Sequence, residues 1–264
     1  MPPLKYLRPR SLAEAGALLR EHPQARLLAG GMTLIPSLKL RLLDPSHLVD
    51  IGRLEELAGI HVEGGRLTIG AGTRHDVVAN HELVRRHLPA LAGLAGRIGD
   101  PMVRNRGTLG GSVANNDPAA DYPAALLGCG AVVHTTRGRH AAADFFQGLF
   151  ATALAEGDIV TRIEFPLPRA AAYAKFHHPA SGYAMAGVWV SVTATGAVVA
   201  VTGAGSGVFR WREAEAALGA SLHERSLAEL WPDSAELLSD LHGDAAYRAQ
   251  LVHTMAREAV ARLP

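Results

Sequence analysis

The chain has 264 residues, which suits one large domain or two of ordinary size. Hydrophobic residues make up 48% and charged residues 19%, a globular composition rather than a disordered one. Basic side chains number 26 against 25 acidic, a formal charge of +1, which removes the electrostatic case for nucleic acid or an anionic membrane as partner.

The opening residues, Met1-Pro2-Pro3-Leu4-Lys5-Tyr6, lack the apolar core of a signal peptide, and no later run approaches the roughly 18 apolar residues of a membrane span. The expectation is a soluble, cytoplasmic protein. Ser11 is placed to cap a helix through Arg20, with Glu14 completing a capping box. Arg26-Leu27-Leu28-Ala29 reads as a short buried strand that stops at Gly30-Gly31. Helical spacing follows over Leu34–Leu42, with Pro36 restricting the start. His47–Ile51 and Leu67–Gly72 read as strands, and Thr73 as a helix cap. Ala90–Ile98 reads as a helix of small residues, Gly99–Asn116 as a loop, and Ala119–Leu127 as a helix.

Strand signals recur at Ala131–His134, Asp158–Phe165, Tyr173–His177, Gly187–Thr193 and Ala197–Thr202. A cap-like region at Ser221 or Ser226 and an amphipathic stretch over Asp244–Arg262 make the end helical. Glu164-Phe165-Pro166-Leu167-Pro168-Arg169-Ala170 is the best internal boundary, because two prolines break the pattern. The fold class is mixed α+β in two parts.

Two glycine-rich segments carry the chemistry. In Leu28-Ala29-Gly30-Gly31-Met32-Thr33, a strand ending in paired glycines exposes several backbone N–H groups at one point, a site suited to phosphate; a tight turn without a ligand reads the same residues equally well. The second, Arg104-Asn105-Arg106-Gly107-Thr108-Leu109-Gly110-Gly111-Ser112-Val113-Ala114-Asn115-Asn116, leads to Asp117 and Asp121, so that backbone donors can wrap a phosphate while a carboxylate takes sugar hydroxyls. Two such segments in one chain favour a dinucleotide.

Other motifs fail on their context. There is no GxxxxGK[ST]. Val198–Gly207 imitates a Rossmann strand and turn, but Val208 stands where the third glycine belongs; it reads as a strand-to-helix turn of the second part. Gly110-Gly111-Ser112-Val113-Ala114 approximates a nucleophile elbow without the apolar strand that motif needs. None of the 13 histidines forms HxH or HExxH, and His177 and His178 point to opposite sides of a strand. Cys129 is alone, which excludes an internal disulfide, a CxxC pair and a cluster-binding set; it reads as a buried small residue.

Taken together, the two glycine segments, the continuation Asp117-Pro118-Ala119-Ala120-Asp121-Tyr122-Pro123-Ala124, and Tyr173-Ala174-Lys175 followed by Ala180-Ser181-Gly182-Tyr183-Ala184 resemble the FAD-binding medium subunit of molybdenum hydroxylases, the xanthine dehydrogenase and carbon monoxide dehydrogenase group. The likeness covers essentially the whole chain, and the second segment is its specific part. It implies a two-part FAD-binding domain of the vanillyl-alcohol oxidase (PCMH) type over residues 1–169, with sub-parts of about 1–53 and 54–169. A smaller α/β domain over 170–264 follows, like the C-terminal domain of carbon monoxide dehydrogenase flavoproteins.

By position, the resemblance implies FAD contacts from Leu28, Ala29, Gly30, Gly31, Met32, Thr33 and Leu34, with Ala29 to Thr33 donating backbone N–H to the pyrophosphate. Thr108, Leu109, Gly110, Gly111 and Ser112 would form a second wall, with Asn115 nearby. Asp121 would accept from a sugar or ribityl hydroxyl, Val160 would pack on the flavin ring, and Lys175 would lie by its polar edge, where a cation stabilises the reduced anion. Met32 departs from the histidine or asparagine common there. Tyr183 reads either as a stacking residue or as a buried strand tyrosine.

The implied function is electron transfer. Substrate would be oxidised at a molybdopterin cofactor on a large subunit, and electrons would pass through [2Fe–2S] clusters on a small subunit to FAD here and on to a terminal acceptor. The assembly would be a dimer of heterotrimers. No catalytic residue or metal ligand is assigned to this chain. A stand-alone flavin reductase related to the enolpyruvyl reductases, or a scaffold that has lost FAD, are the alternatives.

Overall fold

The computed structural model describes residues 3–264; Met1 and Pro2, the start of the segment lacking a signal-peptide core, lie outside them. The first fifty residues alternate strand and helix: β1 (Lys5–Leu7), α1 (Leu12–Glu21), β2 (Arg26–Leu28), α2 (Leu34–Lys39) and β3 (His47–Asp50). The three strands form a parallel sheet of order β1-β3-β2. Ser11 caps α1 by accepting from the Glu14 N–H at 3.1 Å, as its position predicts. The expected box closes one residue early, since the Glu14 carboxylate accepts from Arg10 N rather than from Ser11 N.

Next come β4 (Ile60–Glu63), β5 (Arg66–Gly70), α3 (His75–Asn80), α4 (Glu82–His87), α5 (Pro89–Gly96), α6 (Pro101–Arg106), α7 (Leu109–Asn115), α8 (Tyr122–Cys129), β6 (Val132–Thr135), β7 (Arg139–Ala141), α9 (Ala142–Phe145) and β8 (Val160–Pro166). Their strands make an antiparallel sheet of order β4-β5-β8-β6-β7. Leu67, Ile69, Ile163 and Phe165 from that sheet meet Leu91, Leu94, Leu109 and Leu126 from the helices in a core that excludes water.

The remainder contributes β9 (Ala170–His177), β10 (Ala184–Thr193), β11 (Gly196–Thr202), β12 (Phe209–Arg210), α10 (Arg212–Ala220) and α11 (Ala245–Ala261). Its antiparallel sheet has the order β12-β11-β10-β9. Alternation along β10 decides what each face meets. Ala186, Val188 and Val190 pack with Val252 and Ala256 of α11, whereas Trp189 joins the core of the preceding segment. The sheet is therefore a middle layer. Among the described residues, no helix is long and apolar enough to cross a membrane.

Four expectations need correction. Gly99–Asn116 is not a loop but α6 and α7. Asp100 caps α6 by accepting from Val103 N at 2.9 Å, with Pro101 in the first turn, and Thr108 caps α7 by accepting from Gly111 N at 3.1 Å. Gly110 and Gly111 lower helix propensity, which hides α7 in the sequence. Thr73 does not cap α3; Arg74 holds that position, and the Thr73 carbonyl accepts from Leu109 N instead. After β11 no helix starts at once, because β12 first pairs back on Ala200 and Val201. Ser221 closes α10, and neither it nor Ser226 opens a helix: His223 caps the single 3-10 turn at Glu224–Leu227.

Candidate functional site

The first glycine segment runs from the end of β2 into α2. Among the described residues, no backbone or side-chain acceptor takes the N–H groups of Ala29, Gly30, Gly31, Met32, Thr33 or Leu34. Hydrogen bonding resumes only where Ile35 N donates to Gly31 O. Six consecutive free donors are unusual, because protein backbone groups away from water nearly always find partners. Gly31 takes φ +75°, in the left-handed region that glycine enters without a steric cost. Thr33 is exposed and makes no capping bond with its side chain.

The second segment meets the first edge to edge. A Cβ on Gly30 would lie 2.1 Å from the Arg106 carbonyl oxygen, so only glycine lets the two backbones approach. Ala29 in turn lies beside Gly111, its Cβ 4.0 Å from where a Gly111 Cβ would stand. The donors of the second segment are largely used inside the protein: Leu109 N on Thr73 O, Gly110 N on Ala71 O, Gly111 N on Thr108 Oγ1 and Ser112 N on Thr108 O. The first segment thus carries the available donors and the second builds the wall behind them. Ser112 and Asn115 are half-buried on α7, while the Leu109 side chain is in the core. Val160 begins β8, next to Thr161, whose carbonyl accepts from Ala71 N; Ala71 O accepts from Gly110 N, which links that strand to the second wall.

Asp121 and Lys175 come together, from the start of α8 and from β9. Lys175 Nζ donates to Asp121 Oδ2 at 2.9 Å and to Arg97 O at 3.2 Å, and Tyr173 OH donates to Asp121 Oδ1 at 2.6 Å. The lysine and aspartate side chains are 1% and 4% exposed, so this is an internal ion pair. Burial lifts the Asp121 carboxyl above its usual range, against the pull of the Lys175 ammonium and the Tyr173 hydroxyl. Gly187 faces Lys175 across the sheet, and a Cβ there would lie 2.2 Å from Tyr173 OH; its absence makes room for the phenol. Tyr173 was given no role by the sequence reading, although its i, i+2 spacing from Lys175 places both on one strand face.

Tyr183 is neither buried nor in a strand. It is 47% exposed in the turn between β9 and β10, and burial together with the Asp117 and Asp121 carboxylates raises its phenol above the usual value. That turn leans on Gly99, 3.5 Å from where a Gly182 Cβ would stand. Asn116, buried with φ +45°, closes α7 and donates to Gly148 O and Ala151 O, a framework role the sequence did not signal. Cys129 is buried as expected, and burial pushes its thiol up. His177 ends β9, so His178 belongs to the turn instead of the strand. No cluster of three or more metal-ligating side chains occurs among the described residues. A surface recess of about 460 Å³ lined by Asp76, Asn80, Arg85 and Arg104 contains none of the predicted site residues.

Free donors and a close-approach glycine fit a bound pyrophosphate, so the cradle suits a dinucleotide such as FAD. Residues 2–168 match the family described as the FAD binding domain in molybdopterin dehydrogenase. The chain is 34% identical to the nicotine 6-hydroxylase medium subunit of Paenarthrobacter nicotinovorans, over 98% of this chain and 97% of that one. The carbon monoxide dehydrogenase of Hydrogenophaga pseudoflava that lacks the Mo-pyranopterin moiety contains a chain that superposes with a TM-score of 0.90 at 34% identity, covering 99% of this chain and 97% of its own. Quinoline 2-oxidoreductase from Pseudomonas putida 86 gives 0.91 at 29% identity, with 99% and 96% covered.

Proposed function

The chain belongs to the FAD-binding family of molybdopterin dehydrogenases, an oxidoreductase family, and from that membership we propose that it is the electron-transfer subunit of a molybdenum hydroxylase complex. It receives electrons from [2Fe–2S] clusters on a small partner and passes them to a terminal acceptor. The substrate is oxidised at a molybdopterin cofactor on a large partner, and two such heterotrimers pair. Residues 1–169 form the FAD-binding domain and 170–264 the smaller second one.

The observation that carries the reading is the row of six unpartnered N–H groups from Ala29 to Leu34, clamped against the Arg106–Gly107 backbone. Those donors hold a pyrophosphate, with Leu28 and Leu34 flanking them. Thr108 to Ser112 and Asn115 close the far side, and Val160 shields the ring from water. When bound, FAD supplies a two-electron store that can be filled one electron at a time.

Asp121 and Lys175 serve as one unit. Both Asp121 oxygens are already engaged, so any sugar or ribityl hydroxyl it accepts shares an oxygen with Tyr173 or Lys175. Lys175 keeps its positive charge beside that carboxylate, and the pair as a whole is close to neutral. No general base on this chain is required.

The test is a visible spectrum and an FAD titration of the purified chain, then isolation of the native complex. One FAD per chain and co-purification with two further chains, one carrying molybdenum and one iron, is the expected outcome. A colourless protein that takes up no FAD on reconstitution would sink the reading. A yellow protein that purifies alone and reduces a substrate of its own would replace it with the stand-alone reductase.

A further inference from the structure

Two histidines outside the cofactor cradle are in direct contact. His178, first residue of the turn between β9 and β10, places Nε2 3.2 Å from Nδ1 of His242, which lies in the turn before α11. The rings meet edge to face, with centroids 4.4 Å apart. Neither residue is absorbed by the proposed function.

The surrounding bonds fix which nitrogen carries the proton. His178 Nδ1 accepts from Ala180 N at 3.3 Å and Ser181 N at 3.4 Å, so that nitrogen is bare and the proton sits on Nε2. His178 Nε2–H then donates to His242 Nδ1, which must also be bare. Both rings are neutral in this arrangement. Protonating His242 puts a hydrogen on Nδ1 against the Nε2–H of His178, and protonating His178 removes the acceptor for two N–H groups of its own turn. Either event breaks a contact that holds the turn.

We propose that the His178–His242 contact is a proton-sensitive latch on the turn that carries Tyr183. The turn is otherwise tied by His178 N on Tyr183 O at 2.7 Å and Gly182 N on His178 O at 2.8 Å, both internal to it. At its far end, Ala184 N reaches Ala119 O at 3.4 Å. The charged and titratable groups around the latch come from each neighbouring element. Asp240 accepts from His242 N with Oδ1 and favours the imidazolium, and Arg248 of α11 blunts that by binding Asp240 Oδ2 at 2.6 Å. His177 adjoins on β9, Tyr247 stands on α11, Asp100 follows Gly99 on the surface the turn leans against, and Asp117 lies by Tyr183. Nothing here locks His242 in one state, so the latch opens as the pH falls through the imidazole range.

Loss of one neutral hydrogen bond raises the open population of the turn by about three- to tenfold. The consequence for the cofactor rests on the proposed function: Tyr183 borders the Asp117–Asp121 edge of that site, so opening changes the cover over a bound flavin.

The experiment follows the backbone amide signals of Ala180–Tyr183 by NMR in the FAD-free chain from pH 7.5 to 5, beside the ring protons of both histidines. The expected result is that the turn signals move with the same midpoint as His242. In His242→Asn, whose Oδ1 replaces the Nδ1 acceptor but takes no proton, they stay at their pH 7.5 positions. A wild-type turn indifferent to pH, or a His242→Asn turn as sensitive as wild type, overturns the latch. A second arm reads flavin fluorescence of the FAD-loaded chain over the same range, where the latch predicts a change lost in His242→Asn. Failure to load FAD counts against the cofactor reading alone, because the amide titration does not use it.

Discussion

Asp121 and Lys175 form a pair whose disruption has a calculable cost. Their charged atoms are 2.9 Å apart, which at an effective dielectric of about 20 is an attraction of about 6 kcal/mol before desolvation is charged against it. Removing one partner leaves the other buried and unbalanced, at about 3–5 kcal/mol. Asp121→Asn should therefore leave Lys175 with only Arg97 O and destabilise by that amount. Lys175→Met leaves Asp121 with Tyr173 alone. Asp121→Asn combined with Lys175→Met removes both charges, and should cost less than the sum by about 1.5 kcal/mol or more.

The pH dependence of Lys175→Met carries a definite sign. Burial already raises the Asp121 carboxyl, and loss of the ammonium raises it further, so the native state binds more protons than the unfolded one. Stability of this variant then falls as the pH rises from the unfolded carboxylate range through the folded value. The assay is guanidinium unfolding of the FAD-free chain followed by circular dichroism at pH 5 and pH 8. Single variants that each cost under about 1 kcal/mol and add linearly would refute the reasoning, since a solvated surface pair behaves that way.

Further outcomes are expected elsewhere. Gly30→Ala drives a Cβ into the Arg106 carbonyl and parts the two segments, so FAD affinity should drop at least about tenfold in a titration, with about 1–3 kcal/mol of stability lost. His75 is held neutral, with its pKa lowered to about 4 by burial and by Arg104. Its contribution is fully present above the unfolded value of about 6.5 and lost as the pH falls from there to 4, on the order of 3 kcal/mol. In urea titrations across that range, His75→Gln should show a flatter slope than wild type. Asp244 caps α11 through Tyr247 N at 2.8 Å, so Asp244→Ala should cost about 1 kcal/mol and lower Tm by about 2–4 °C in calorimetry.

Local signals in the chain were enough for much of the fold. The Ser11 cap, the strand ahead of Gly30-Gly31, the strands at 67, 160 and 197, and the long last helix each depend on neighbours within a few residues, and the structure has them there. Both glycine segments and their resemblance to a flavin site were also legible, because backbone donors and steric permission are local properties. What was read wrongly, α7 above all, was wrong for a reason of the same kind. Gly110 and Gly111 carry no helix propensity of their own, and α7 exists through its Thr108 cap and its seat on Ala71.

Pairings across the chain lay beyond any local pattern. Asp121, Tyr173 and Lys175 stand more than fifty residues apart in sequence, and strand alternation says only that Tyr173 and Lys175 share a face. Which face is turned toward α8 depends on the sheet being buried on both sides, between α11 and the first core, a condition set by how two apolar surfaces find each other. The division of labour between the glycine segments was decided in the same way. The sequence by itself determined that this chain carries a dinucleotide cradle and too few cysteines to hold a cluster. The tertiary structure decided which N–H groups remain free to bind and which charges are already paired, because both depend on what long-range packing leaves without a partner.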